Sequence, residues 1–272
     1  MESRERHALN MRRNILKMIH RAQSGHPGGS LSCTDILTAL YFGIMNINED
    51  NLNDVQRDKL ILSKGHASAA LYAALAEKGF ISEEELMSYS RIGSRLQGHP
   101  NMNELGGVDM STGSLGMGLS AAVGMCLANK LDGNDFRTYV ICGDGELQEG
   151  QIWEAAMAAG YYRLDNLLLF VDHNGLQGDG CISDVMNIES IGAKFAAFNW
   201  NVLSCDGHDI DVLIEVVRYA ASCKTMPTVI IAETVKGKGV SFMEDQPDWH
   251  GKAPNDEQLA QALAELGGDS DE

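Results

Sequence analysis

Four histidines of this chain share one kind of setting. His26 lies in Ser24-Gly25-His26-Pro27-Gly28-Gly29-Ser30, His66 in Lys64-Gly65-His66, His99 in Gln97-Gly98-His99-Pro100 and His250 in Trp249-His250-Gly251. Each is bounded by glycine or proline rather than placed on a helix face, and loops are where binding and catalytic groups concentrate. Neutral imidazole donates or accepts a proton near neutral pH, so it can steady alkoxide or enediol character without burying a fixed charge. One such histidine is more often structural or solvated; four in the same style favour a site. A second constellation is carboxylate and amide. Gly143-Asp144-Gly145 follows the apolar run Tyr139 to Cys142, and Asp172-His173-Asn174-Gly175-Leu176 follows Leu167 to Val171. A diphosphate carries more charge than backbone amides neutralise, so an Mg²⁺ held by one or two carboxylate or amide oxygens is its natural complement, with Asp144 as a first ligand. Taken alone, an Asp-Gly pair after a strand is also an ordinary turn, and Asn174 also suits a left-handed turn.

The elements that must position these residues read as strands alternating with helices. Leu9, Ile15, Met18 and Ile19 recur at helical spacing in a first helix ending near Ser24-Gly25, and a loop is expected to follow. Leu60 to Leu62 reads as a short buried strand before an alanine-rich helix from Ala67 to Leu75. Tyr139 to Cys142, the helix Ile152 to Tyr161 and the strand Leu167 to Val171 repeat the unit, and Val202-Leu203 and Thr228 to Ala232 flank a helix from about Ile210 to Ala221. Such spacing predicts right-handed crossovers and an α/β, doubly wound, mainly parallel sheet with helices on both faces. Ligands of such sheets settle beyond the carboxyl ends of strands, and neighbouring ends would bring Asp144 and Asn174 within reach of one ion.

Composition agrees. The 272 residues hold 29 glycines and only 5 prolines, with 44% apolar content, which suits tight βα turns over a sizeable core. A net charge of −17 argues against nucleic acid or an anionic membrane as partner. The six scattered cysteines fit a reducing, cytoplasmic setting, and neither the charged start nor any apolar run suggests export or membrane spanning. Without a linker or fixed-period repeat, residues 1–266 read as one domain and 267–272 as a disordered acidic tail.

The Gly-Asp-Gly motif, followed at this distance by Asn174, resembles the thiamine diphosphate binding signature. Together with the histidine loops and Ser111-Thr112-Gly113-Ser114-Leu115-Gly116-Met117-Gly118, the stretch from about Ser24 to Gly251 resembles the N-terminal, diphosphate-binding half of a transketolase. The resemblance implies that Asp144, Asn174 and the Leu176 carbonyl coordinate Mg²⁺ (or Ca²⁺ or Mn²⁺ in its place), with Gly145 near the diphosphate. It implies further that His66 and His250 contact the diphosphate or nearby substrate, that His26 and His99 bond substrate hydroxyls, and that Gly113, Leu115 and Gly116 line the cofactor cleft. Glu149 would sit at a subunit interface coupled to the symmetry-related site, although a carboxylate there also favours the start of the next helix through its dipole. His7 and His20 have surface or packing roles, His173 shapes the metal loop, and His208 belongs to a turn with Asp209 as a cap.

Complete transketolases continue into a pyrimidine-binding domain that supplies a glutamate for the aminopyrimidine, and no segment here does so. The implied assembly is therefore a split enzyme with a C-terminal transketolase subunit, forming an α₂β₂ heterotetramer. It would move a two-carbon ketol unit from a ketose phosphate to an aldose phosphate, the chemistry of the pentose phosphate pathway; a chain serving sulfonated or branched sugars would carry the same motifs. The α chain of a 2-oxo-acid dehydrogenase shares the metal signature, and a 1-deoxy-xylulose-5-phosphate synthase shares the chemistry. The histidine loops and Glu149 fit transketolase better than the former, and His26-Pro27-Gly28 better than the latter. A non-catalytic cofactor-binding or regulatory module is the remaining alternative.

Overall fold

The computed structural model describes residues 3–178 and 180–267. Strands β1 (Lys59–Leu62), β2 (Thr138–Gly143), β3 (Leu167–His173), β6 (Asn201–Asp206) and β7 (Thr228–Glu233) form one parallel sheet in the order β1-β2-β3-β7-β6. The residues Leu176–Gln177 (β4) and Gly180–Cys181 (β5) make a small antiparallel hairpin just after β3. Alternation along the strands divides the interior in two. Leu60, Leu62, Tyr139, Ile141, Leu168, Phe170, Ile230 and Ala232 face one core, while Ile61, Val140, Cys142, Leu169, Val171 and Val229 face the other. The first core is closed by α1 (Arg4–Ala22), α3 (Thr34–Ala39), α4 (Ser68–Glu77) and α10 (Ile210–Ala220). The second is closed by α6 (Met117–Asp132), α7 (Gly150–Tyr161) and α9 (Ile191–Ala197). Both sheet faces are thus covered, as a parallel sheet of near-continuous apolar strands requires.

The stretch read as a loop after the first helix is instead helical: α2 (Pro27–Ser32) and α3 are followed by a π-helical turn, Leu40–Ile44. Its Gly-Ser-Thr composition hides any 3.6-residue periodicity because every residue from Pro27 to Leu40 is buried, leaving no polar face. Pro27 at the first helical position, and hydroxyls bonding back from Ser30 to His26, Thr34 to Ser30 and Thr38 to Thr34, satisfy the polar groups inside. The short helices α5 (Glu83–Leu86) and α8 (Ile182–Met186), and the C-terminal α11 (Asp256–Glu265) with its Asn255–Gln258 capping box, complete the chain. The tail beyond Gly267 lies outside the described residues.

Connections run from β1 through β2 to β3, then jump to the far edge at β6 and return to β7. Strands β3 and β7 therefore meet where the winding reverses, the position at which open α/β sheets form a crevice beyond their carboxyl ends.

Candidate functional site

A cavity of about 370 Å³ opens above the carboxyl ends of β2 and β3. His26, His66, Gly113, Leu115, Asp144, Gly145, Glu149, Asn174, Leu176 and His250 all line it. His99 and Gly116 stand one layer behind: a side chain at Gly113, whose φ is +146°, would meet the His99 ring at 2.8 Å, and one at Gly116 would meet Cβ of Glu149 at 2.8 Å. Both glycines are held where only a residue without Cβ fits.

Asp144 follows β2 directly and is 2% exposed. Its Oδ1 accepts from the Gly145 amide at 2.8 Å and its Oδ2 from the Gly175 amide at 2.6 Å, which ties the β2 loop to the β3 loop. Burial, then the nearby charge of Asp172, raises its carboxyl to about 6. A cation held beside it would favour the ionised carboxylate. Asn174 Oδ1 accepts from the Leu176 amide at 3.1 Å within the same loop. Among the described residues no group of three or more His, Cys, Asp or Glu forms a metal cage. The Asp144 carboxylate, the Asn174 amide oxygen and the Leu176 carbonyl are donors of the type that could hold a hard cation.

Two lysines that sequence reasoning passed over also reach this cavity. Lys64 follows β1, is 2% exposed, and donates to Asp172 Oδ2 and to the Gly29 carbonyl, each at 2.5 Å. Lys236, after β7 and equally buried, donates to His250 Nδ1 at 3.1 Å. Both lysines line the cavity that Asp144 also lines and give it two cationic side chains of the kind that could hold an anionic group. Glu146 was likewise missed. Its carboxylate accepts from Ser63 Oγ at 2.5 Å and from the amides of Gly116 and Gly143 at 2.9 and 3.2 Å, fastening β1, β2 and the start of α6 together. A charged residue after Gly-Asp-Gly gives no signal in a sequence that its three donors lie up to 83 positions away.

The rings of His26, His66 and His250 cluster with centroids 5.0 to 5.4 Å apart. Burial, then the Lys64 charge, pushes His66 down to about 2, and burial followed by His99 and Lys236 lowers His26. Both are therefore neutral at physiological pH, the form that exchanges hydrogen bonds with hydroxyls. The other histidines stand elsewhere. His7 stacks on Phe42 and contacts Glu77 at 2.8 Å, His20 contacts Asp256 at 2.8 Å, and His173 bridges Glu233 and Glu189. Asp209 caps α10 by accepting from Val212, as the turn reading expects.

Residues 3–272 match the family model described as transketolase, thiamine diphosphate binding domain. This chain belongs to the transketolase family. It is similar to one subunit of the apulose-4-phosphate transketolase of Phocaeicola vulgatus, at 42% identity over 98% of this chain and 94% of that one. It is also similar to the 6-deoxy-6-sulfo-D-fructose transketolase subunit SqwG of a Clostridium species, at 45% identity over 96% and 95%. The transketolase of Campylobacter jejuni superposes with a TM-score of 0.92 at 34% identity, covering all of this chain and 44% of that one. The chain thus spans nearly the whole length of the split transketolase subunits and under half of that single-chain enzyme. The doubly wound α/β fold is that of transketolases, enzymes that transfer ketol units. Among the described residues no helix is long and apolar enough to cross a membrane.

Proposed function

We propose that this chain is the diphosphate-binding subunit of a two-chain transketolase, active with a C-terminal subunit that carries the pyrimidine-binding domain, as an α₂β₂ heterotetramer in the cytoplasm. Residues 1–266 are its single domain. The observation that supports the reading best is the meeting of Asp144, Asn174, Lys64, Lys236 and the histidines His26, His66 and His250 on one cavity beyond the carboxyl ends of the strands.

In this reading Asp144, Asn174 and the Leu176 carbonyl would hold Mg²⁺, and Lys64 and Lys236 would face the diphosphate, with Gly145 beside it. Bound thiamine diphosphate supplies the nucleophilic carbon and the electron sink for cleaving and forming the carbon–carbon bond next to a carbonyl. The chain's own work is positional and protonic. The buried ammonium groups of Lys64 and Lys236 would hold one end of the cofactor and so limit the orientations of its reactive end. His26 and His66, held neutral by burial, donate to or accept from the hydroxyls of the sugar, and His250 accepts from Lys236 and is thereby oriented. His99 lies behind Gly113. Glu149 lines the outer part of the cavity, where a subunit interface would lie. The substrate class is phosphorylated sugars, the metabolites of pentose phosphate interconversion, with sulfonated and branched ketoses included because the similar subunits are named for such sugars.

Co-purified with its pyrimidine-binding partner, the protein is expected to bind thiamine diphosphate only with a divalent cation and to transfer a ketol unit between sugar phosphates. Asp144→Ala should abolish cation-dependent cofactor retention measured by calorimetry; undiminished affinity would remove the metal assignment.

A further inference from the structure

The turn Asp206-Gly207-His208-Asp209 leads from β6 into α10, and its histidine joins a polar chain, with Asp35 and Arg12, none of whose members lines the cavity. His208 Nε2 accepts from the backbone amide of Val235 at 2.8 Å, and Nδ1 lies 2.7 Å from Asp35 Oδ2. An amide can only donate, so Nε2 is the acceptor and the neutral ring carries its proton on Nδ1, toward Asp35. Asp35 grips Arg12 with both oxygens, at 3.0 and 2.5 Å. Arg12 Nε in turn donates to the carbonyl of Lys238 at 3.2 Å.

Three residues from α1, α3 and the β6–α10 turn therefore hold the amide at one end of the segment Val235–Lys238 and the carbonyl at the other. Lys236 lies between them, and the Gly237 amide pins the middle by donating to the Gly28 carbonyl at 3.0 Å. Contact along this path is tight. A side chain at Gly207 would meet Thr234 Cγ2 at 2.4 Å, and one at Gly239 would meet Arg12 Cδ at 3.2 Å. Asp35 and Arg12 are 4% and 8% exposed. Burying such a chain costs more than filling the space with apolar side chains, so packing alone does not account for it.

We propose that His208, backed by Asp35 and Arg12, is a positioning residue that sets where the Lys236 ammonium stands in the cofactor cavity. The proposal rests on the reading that Lys236 faces the diphosphate. His208 acts on it only through the backbone of Val235, much as the outer partners of a metal ligand act through that ligand.

Two measurements separate the clamp from that reading. First, amide hydrogen exchange of residues 234–238 in the full chain without cofactor should quicken in His208→Leu and return toward the natural rate in His208→Gln, whose amide oxygen can accept from Val235 while its NH₂ faces Asp35. Unchanged exchange in His208→Leu overturns the clamp. Second, thiamine diphosphate affinity with Mg²⁺ is measured by calorimetry on the assembled protein. His208→Leu should weaken it about tenfold, the lower end of what losing an outer partner costs. Adding it to Lys236→Ala should cause no further loss, because both changes act on one ammonium. Losses that multiply overturn the route through Lys236. A Lys236→Ala protein of natural affinity overturns the diphosphate reading, while the exchange result still judges the clamp. Should His208→Leu not fold, Asp35→Asn, which keeps the side chain's size, is read in the same two ways.

Discussion

Replacing Asp172 with asparagine tests the charge balance beneath the cavity. Asp172 is completely buried, and its oxygens accept from Lys64 and Ser32 at 2.5 Å each and from Thr234. Burial alone would raise this carboxyl; the Lys64 charge and the hydrogen bonds more than reverse that and hold it below the usual carboxylate range. Asparagine keeps the shape but removes the charge, and it turns an NH₂ toward donors. The hydroxyls can rotate to accept, whereas the ammonium cannot. Lys64, 2% exposed, is then a buried cation without its counter-charge. Breaking a buried pair in this way costs about 3–5 kcal/mol. Against the roughly 5–15 kcal/mol of a typical domain, that is a fifth of the stability or more. Urea unfolding followed by circular dichroism should show the loss as a lower midpoint at unchanged slope. The charge-free pair Lys64→Met with Asp172→Leu should regain much of the stability but not the cofactor affinity, since it lacks an ammonium in the cavity. A loss under about 1 kcal/mol in Asp172→Asn would refute the account of this pair as a buried charge in need of its partner.

Other outcomes follow from the same structure. His66 is held at about 2 in the folded chain, so below the unfolded value near 6.5 only the unfolded state takes up its proton. Stability should therefore fall with decreasing pH, by at most about 1.4 kcal/mol per unit from this group, and the slope should flatten by that amount in His66→Gln; denaturation midpoints at pH 7, 6 and 5 give the comparison, and equal slopes would contradict the neutral assignment. His26→Ala should cut turnover about 10²-fold, the scale of a lost proton-exchanging group, with cofactor affinity nearly intact; steady-state kinetics and calorimetry on the assembled enzyme separate the two. Gly160→Ala would put a methyl 1.8 Å from the Phe198 carbonyl oxygen, and a loss of about 1–3 kcal/mol in thermal unfolding is expected from that overlap.

Much of the sheet was legible because its strands are continuous apolar runs ending in Gly-Asp-Gly and Asp-His-Asn, where composition and turn chemistry agree. The helix α6 was not. Its sequence, Met117 to Asp132, is apolar or small on nearly every side, so no 3.6-residue contrast marks it, and the helices after His26 are hidden by burial in the same way. At the site, the histidines and Asp144 announced themselves by local style, while Lys64, Lys236 and Glu146 did not. A lysine that is 108 residues from its buried aspartate looks like any surface lysine until the strands are laid side by side. His208 stands in the turn where the sequence placed it, with Asp209 as the cap, while its ring contacts with Asp35 and Val235 depend on distant residues and were not legible.

Strands β2, β3, β7 and β6 finish within one residue of a common level: Gly143 lies beside Asp172, and His173 beside Glu233, which lies beside Asp206. Asp144, Asn174 and Lys236 are consequently overhangs on an even rim. Lengthening an overhang leaves the rows below untouched, whereas one residue added inside β2 would exchange its two faces, sending Val140 and Cys142 into the wrong core and turning Asp144 from the cavity. Room for variation thus lies in the lengths and tips of these projections, and scarcely at all in the strands beneath them.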